Sequence, residues 1–205
     1  MSTLCSLVVK NIPQRAQRIT QRITKDLLYL KSMAEKILVT YASRTGTTAG
    51  VADAIGKTLT DKGLSVEVIP MKNVKDTVQY SAVVAGSSIQ AAKWLPEAIE
   101  FLNANSEDLS KKPFATFQVC MTLAMPNGEK YRQGVSEWME PVRRIVKPVK
   151  EGIFAGRLEL KYVSSFSDRL KFRISILLGV WKEGDHRNWD EIMKWTEELV
   201  PLLPK

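Results

Sequence analysis

Ser43, Thr45, Thr47 and Thr48 place four hydroxyls in six consecutive residues, with Arg44 and Gly46 between them. They follow directly on an apolar run, Ile37-Leu38-Val39 with Tyr41. Hydroxyl donors, one cation and a glycine that lets the backbone approach closely are the components of a phosphate cradle. The chemistry is complete if a helix opens at Thr47. The first N–H groups of a helix have no partner inside it, and the helix dipole adds partial positive charge there. The string is neither the P-loop, which ends in Gly-Lys-Ser/Thr, nor the dinucleotide G-x-G-x-x-G. The same residues also suit an N-capped helix after a strand, since Ser and Thr are common caps.

The surrounding pattern supplies elements to hold such a loop. Residues 36–41 read as a buried strand and 47–62 as a helix with Val51, Ala54, Ile55 and Leu59 on one face, closed by Gly63. Residues 64–69 alternate as a strand ended by Pro70, which makes a strand-helix-strand unit with a right-handed crossover. A third strand is expected at 80–85, followed by a loop from Gly86 through Ser87, Ser88, Ile89 and Gln90 to Ala92. A helix starts near Pro96, with Ala98, Phe101 and Leu102 toward the core. A fourth strand runs over 114–121, and Thr122 begins a polar excursion to Lys130. Residues 131–145 read as a helix that Pro141 must kink or split. The fifth strand falls at 153–158, and a last helix at 190–199 carries Asn188 and Glu191 as a capping-box pair. Five strands alternating with helices predict an α/β fold with a mostly parallel sheet covered on both faces.

Composition narrows the chemistry further. The chain has one histidine, His186, and two cysteines, Cys5 and Cys120, among 205 residues. That excludes a histidine metal site and a disulfide framework, makes a Ser-His triad unsuitable, and fits a reducing, cytoplasmic setting. The formal charge of +8 is concentrated at the start. Residues 1–36 hold seven cations against Asp26 and Glu35, so +5 sits there and +3 remains for the other 169 residues. The basic balance therefore belongs to the first segment and does not point to nucleic acid.

Two segments stand apart from the alternating pattern. Residues 1–35 form a basic N-terminal extension, with Ala16, Ile19, Ile23, Leu27 and Leu30 on one helical face and Arg15, Arg18, Arg22 and Lys25 beside it. It reads either as a dispensable tail, with Met33 as a natural start, or as an amphipathic helix on an anionic membrane or partner. The second is an extra helix before the last one, over 167–181, capped by Ser167 or Asp168. Arg169, Lys171 and Arg173 fill its first half and residues 174–181 are apolar almost all round. It is too short to span a bilayer. It suits a helix buried under the fold, or one that offers an apolar end and a basic collar to a membrane or partner.

The strand followed by Ser43-Arg44-Thr45-Gly46-Thr47-Thr48 resembles the FMN-phosphate loop of flavodoxins. Ser87-Ser88-Ile89-Gln90 and Cys120-Met121-Thr122 fall where that family's two flavin-ring loops lie. Tyr41-Ala42-Ser43-Arg44, Phe154-Ala155-Gly156 and Gly184-Asp185-His186-Arg187-Asn188-Trp189 resemble the branch that includes menaquinone-dependent protoporphyrinogen oxidase. The resemblance covers residue 36 to about residue 203. It implies a flavodoxin-like, doubly wound five-stranded parallel sheet in the order 2-1-3-4-5, with a domain spanning 36–205. It also implies phosphate in the first loop, with Arg44 either offsetting its charge or facing solvent, and the flavin ring between the other two loops. The sequence departs from the pattern at Gln90-Ala91-Ala92, where an aromatic that stacks on the ring is absent; Trp94 is the nearest substitute.

By this resemblance the chain is an FMN-dependent oxidoreductase or electron-transfer flavoprotein that oxidises a protoporphyrinogen-like substrate with a quinone acceptor. Two alternatives stand beside it: an electron carrier between protein partners, and a flavodoxin-fold module without FMN. Carriers of that kind tend to be acidic, and a domain at +3 does not match them. No side chain reads as an acid–base catalyst. Contact with a membrane surface is expected to run through 167–181 or the N-terminal helix.

Overall fold

The structure, a computed structural model, describes residues 19, 21, 22, 36–163 and 165–204. Of the basic extension only Ile19, Gln21 and Arg22 are described, and they are helical. The alternatives drawn for 1–35 otherwise lie outside the described residues.

The apolar run after Lys36 becomes β1 (Ile37–Ala42), buried along nearly its whole length. A strand covered by helices on both faces needs that kind of sequence. β1 pairs in parallel with β2 (Val66–Pro70) on one side and β3 (Ala82–Gln90) on the other. β5 (Phe114–Cys120) follows β3 across the sheet, and β6 (Lys150–Ala155) forms the far edge, again in parallel. The order β2-β1-β3-β5-β6 is the predicted 2-1-3-4-5 arrangement. Short β4 (Lys93–Trp94) only folds back, antiparallel, onto the end of β3.

Alternation along the strands divides the core into two layers. Ile37 and Val39 face α1 (Thr47–Asp61) and α6 (Trp189–Leu199), packing with Val51, Ile55, Leu59, Ile192, Trp195 and Leu199. Leu38, Val83 and Phe114 face the other way, toward α2 (Pro96–Leu109), α3 (Arg132–Glu137) and α4 (Glu140–Ile145), with Phe101, Leu102, Met139 and Val142. The first layer holds an aromatic triad. The Phe154 ring meets Trp195 edge-on at 5.7 Å and lies 6.3 Å from Phe117. Phe117 stands in register between Gly86 of β3 and Gly152 of β6. A Cβ at Gly86 would come within 2.0 Å of the Phe117 ring, so glycine there makes room for the aromatic.

Two strands depart from the sequence reading, each for a local reason. β3 does not end at residue 85. Ser87 and Ser88 stay in the ladder because their backbone groups still pair with β1 and β5, and the turn comes at Ala91 and Ala92. Both alanines have positive φ, 47° and 60°, a conformation that costs alanine energy which glycine or asparagine would avoid. The helix read over 131–145 divides as expected, into α3 and α4, with Pro141 in the first turn of the second piece, where its missing N–H costs nothing. The last sheet strand lies at Lys150–Ala155 and not at 153–158. Lys150 pairs with Glu198 at 3.0 Å and Glu151 with Arg143 at 2.6 Å, so an edge strand accepts charges that look unlike a strand in sequence.

After β6 the chain leaves the main sheet. Arg157–Leu158 (β7) pairs antiparallel with Gly184–Asp185 (β8), and α5 (Phe166–Leu177) lies between them in the chain. Ser165, not Ser167 or Asp168, caps α5, its hydroxyl accepting from the Asp168 N–H at 3.3 Å. The capping pair of α6 is as read: Asn188 accepts from the Glu191 N–H at 3.2 Å.

Candidate functional site

β1 ends at Ala42, and Ser43 to Gly46 carry the chain into α1. Gly46 sits at φ 78° as the N-cap residue, and no side chain caps the helix. Two hydrogen bonds brace the loop. Ser43 accepts from the Gly46 N–H at 3.1 Å, and Thr45 and Thr47 share a hydrogen bond at 3.1 Å. The first N–H groups of α1 are thus left to a ligand or to water, with no acid in the first turn to oppose an anion.

Above the C-terminal ends of β1, β3 and β5 lies a crevice of about 710 Å³. Ten of the thirteen residues singled out from sequence line it: Arg44, Thr45, Thr47, Thr48, Ser88, Ile89, Gln90, Cys120, Met121 and Thr122. Ser43, Gly46 and Ser87 are not in its lining. Ser87 is a structural residue, its hydroxyl donating to the Ser88 carbonyl at 2.9 Å and accepting from the Leu95 N–H at 3.1 Å. Among the described residues three buried side-chain oxygens have no partner, those of Thr40, Thr48 and Ser88. Two of the three belong to residues of this crevice, one from each side of the β1–β3 junction. An unpaired buried hydroxyl costs roughly 1–3 kcal/mol, so a ligand with acceptors for both would relieve that cost.

Other side chains take roles that sequence spacing did not settle. Trp94 is no substitute for the missing stacking ring. It is buried on the α2 side of the sheet, with its indole N–H donating to Gln118 at 3.1 Å, while Gln118 donates to the Val135 carbonyl at 2.6 Å. Cys120 lines the crevice but is 4% exposed, and burial pushes its thiol up, which makes it a poor nucleophile at neutral pH. Arg44 is exposed to solvent and ion-paired. Its guanidinium grips Glu97, in the first turn of α2, at 2.5 and 2.9 Å.

The wall opposite the three loops was not anticipated. Asp168, Lys171, Phe172 and Ser175 of α5 line the crevice, together with Trp138, Trp181 and the segment around Arg157 and Glu159. The signal was present in the sequence. Residues 168, 171, 172 and 175 follow the i, i+3, i+4, i+7 spacing of one helix face, and it is the polar and aromatic face that turns inward. Aromatic surface absent from Gln90-Ala91-Ala92 is therefore supplied by Trp138, Phe172 and Trp181.

The closing string from Gly184 to Trp189 reaches the same region from behind. Arg187 is held by Asp185 at 2.5 and 2.8 Å, stacks 4.3 Å over the Trp189 ring and lies 3.5 Å from the Thr47 carbonyl. A Cβ at Gly50 would stand 2.5 Å from its guanidinium, so that glycine opens the side of α1 to it. Arg187 is only 8% exposed, and its hydrogen bond holds the Asp185 carboxyl below the usual carboxylate range. Asp185→Asn is expected to cost roughly 1–2 kcal/mol at pH 7, discounted from a fully buried pair because solvent reaches Asp185. A lowered folded-state value means this stability is complete above the unfolded carboxylate value and fades as pH falls through the folded one. The gap between wild type and variant in urea melts should begin to close below about pH 4. A gap constant down to acid pH would exclude the ion pair as its source.

A parallel sheet whose order reverses at β1 and β3 defines a doubly wound α/β protein, with a crevice at that switch point at the strands' carboxyl ends. The Flavodoxin domain family matches residues 38–177, and the chain belongs to that family. Among solved structures, the flavodoxin of Streptococcus pneumoniae TIGR4 is 16% identical, covering 81% of this chain and 98% of its own, with a TM-score of 0.50. A short-chain flavodoxin associated with a bacterial microcompartment is 14% identical, covering 81% and 97%, at 0.52. A Fusobacterium nucleatum flavodoxin mutant bound to flavin mononucleotide is 16% identical, covering 84% and 99%, at 0.47. At these identities the likeness is one of fold. No curated protein matches the chain in sequence.

Proposed function

We propose that the chain binds FMN in this crevice and acts as an electron-transfer flavoprotein. The observation that carries the reading is the pair of buried, unpartnered hydroxyls of Thr48 and Ser88 beside a helix N-terminus that no side chain caps. Thr45, Gly46, Thr47 and Thr48 would hold the phosphate through backbone N–H groups and hydroxyls. Ser88, Ile89 and Gln90 would border the ring on one side and Cys120, Met121 and Thr122 on the other, with Trp138, Phe172 and Trp181 as the aromatic surface. FMN, when bound, supplies one- and two-electron redox chemistry, and the chain's own residues orient it and exclude water. The apolar and aromatic walls lower the local dielectric, which strengthens every polar contact made inside.

The finer reading is an oxidoreductase that takes electrons from a protoporphyrinogen-like donor and passes them to a quinone. It is supported by the resemblance at residues 41–44, 154–156 and 184–189, and by a crevice that continues past the three loops to the α5 wall. A carrier serving protein partners would need no such second wall. Anaerobic assay of FMN-loaded protein with protoporphyrinogen IX and menaquinone, then with ferredoxin-type partners, separates the two. Turnover with the first pair supports the oxidoreductase, and reaction with the second alone supports the carrier.

Thr48→Val and Ser88→Ala test the site itself. Each removes an unsatisfied buried oxygen, so the ligand-free protein should keep its stability or gain up to about 1 kcal/mol. Each also removes a contact to FMN, so affinity in a fluorescence titration should fall about five- to tenfold. Opposite signs in the two measurements are the expected signature. Unchanged FMN affinity in both variants would rule the hydroxyls out as ligands.

A further inference from the structure

We propose that the outward face of α5 docks the protein onto an anionic lipid bilayer. This goes beyond the flavin reading and stands without it. α5 has no buried residue. Phe166, Leu170, Ile174, Leu177 and Leu178 are 79%, 51%, 49%, 84% and 74% exposed, a density of bare apolar side chains unmatched on the other described helices. At 100° per residue the first four fall within a quarter turn of one another, opposite the face that lines the crevice. A helix that turns its polar face to the protein and its apolar face to solvent is inverted relative to an ordinary surface helix, and something must cover it.

Charge decides what covers it. Arg169 and Arg173 border the stripe on one flank, and Lys182 follows beyond Trp181. Arg169 is held in place by donating to the Val163 carbonyl at 2.8 and 3.2 Å. The acids of the segment are both engaged elsewhere, Asp168 with Lys171 and Glu183 with the Leu160 N–H. An apolar stripe flanked by cations matches acyl chains beneath a layer of anionic headgroups. A second copy of the chain is the poorer occupant, because antiparallel stripes would set Arg169 and Arg173 of one copy against those of the other. No described helix is long and apolar enough to cross a membrane, so the contact is peripheral. The same helix lines the crevice with its inner face, and docking would hold the crevice mouth next to the bilayer.

The test is flotation of the full-length chain with phosphatidylglycerol-phosphatidylcholine vesicles and with pure phosphatidylcholine vesicles, at low and high salt and without added flavin. Binding should favour the anionic vesicles and weaken with salt. The double variant Leu177→Glu, Leu178→Glu should lose about tenfold or more of the partitioning while melting as wild type, because both side chains are already in water. Arg173→Glu should lose about fivefold or more through the charge alone. Vesicle binding that these variants leave unaltered would assign it to another part of the chain and overturn the proposal. So would equal binding to both vesicle types, no binding, or a wild-type dimer that the leucine variant converts to monomer.

Discussion

Gly46→Asp is expected to weaken FMN binding roughly a hundredfold, while Gly46→Asn weakens it less than about tenfold. The two side chains have nearly the same shape, and both tolerate the left-handed backbone that Gly46 adopts at φ 78° better than other residues do. Neither would clash, since a Cβ at this position meets nothing within 4 Å. The difference between them is therefore charge. A carboxylate about 6 Å from one phosphate charge, at an effective dielectric near 20, costs about 3 kcal/mol, or roughly two orders of magnitude in Kd. Titration of each purified variant with FMN, read by flavin fluorescence, measures the contrast. Equal affinity for Asp and Asn variants would mean that no phosphate sits at the start of α1. Loss of affinity in both would mean that the loop's conformation was disturbed, and the Thr48→Val result would then decide the site.

The sheet was legible in the sequence because its physics is local. β1 and β5 are short apolar runs of the length that a doubly covered strand requires; Pro96 and Gly63 mark helix ends by their backbone chemistry and Asn188 by its capping side chain. The edge strand was misplaced because Lys150 and Glu151 look soluble until Glu198 and Arg143, distant in sequence, are brought beside them. The same limitation applied to the site. The first loop could be read because hydroxyls, glycine and helix start are consecutive. The partners of Arg44 and Trp94 could not, because Glu97 and Gln118 lie across the fold.

The α5 wall illustrates a different obstacle. In sequence, 174–181 outweighs everything around it, and a run so apolar suggests burial or a membrane. The folded chain turns the less apolar face, with Asp168, Lys171, Phe172 and Ser175, inward. Hydrophobicity alone would predict the reverse. The inward face lines a crevice and not a packed core, so polar and aromatic groups belong there. Reading the face periodicity before the composition would have separated the two sides of the helix.

Phe154→Ala is expected to destabilise the protein by about 3–5 kcal/mol. Phe154 is 2% exposed and meets Trp195 edge-on and Phe117 at a tilt, so truncation loses buried area, leaves a cavity and removes two ring contacts. Relaxation into the cavity is limited. Phe117 is clamped between strands at Gly86 and Gly152, and Trp195 is fixed by its indole N–H, which donates to the Glu151 carbonyl at 2.8 Å. The loss is about a fifth or more of the stability of a typical domain, and should lower the urea midpoint by about 1.5–2.5 M. Phe154→Leu, which refills part of the volume, should recover more than half. A cost below about 1.5 kcal/mol for the alanine variant would show that the triad does not anchor β6. The consequence reaches the crevice through two residues of chain. Ala155 pairs with Cys120, and the Gly156 N–H donates to the Cys120 carbonyl at 3.0 Å. A Cβ at Gly156 would press on the Met121 sulfur at 3.2 Å. Phe154-Ala155-Gly156 thus has a mechanical reason for its residue types: a large ring to lock the edge strand, then two small residues that let the crevice wall close against it. Loosening the ring should weaken FMN binding as well as the fold, and Phe154→Leu should restore both together.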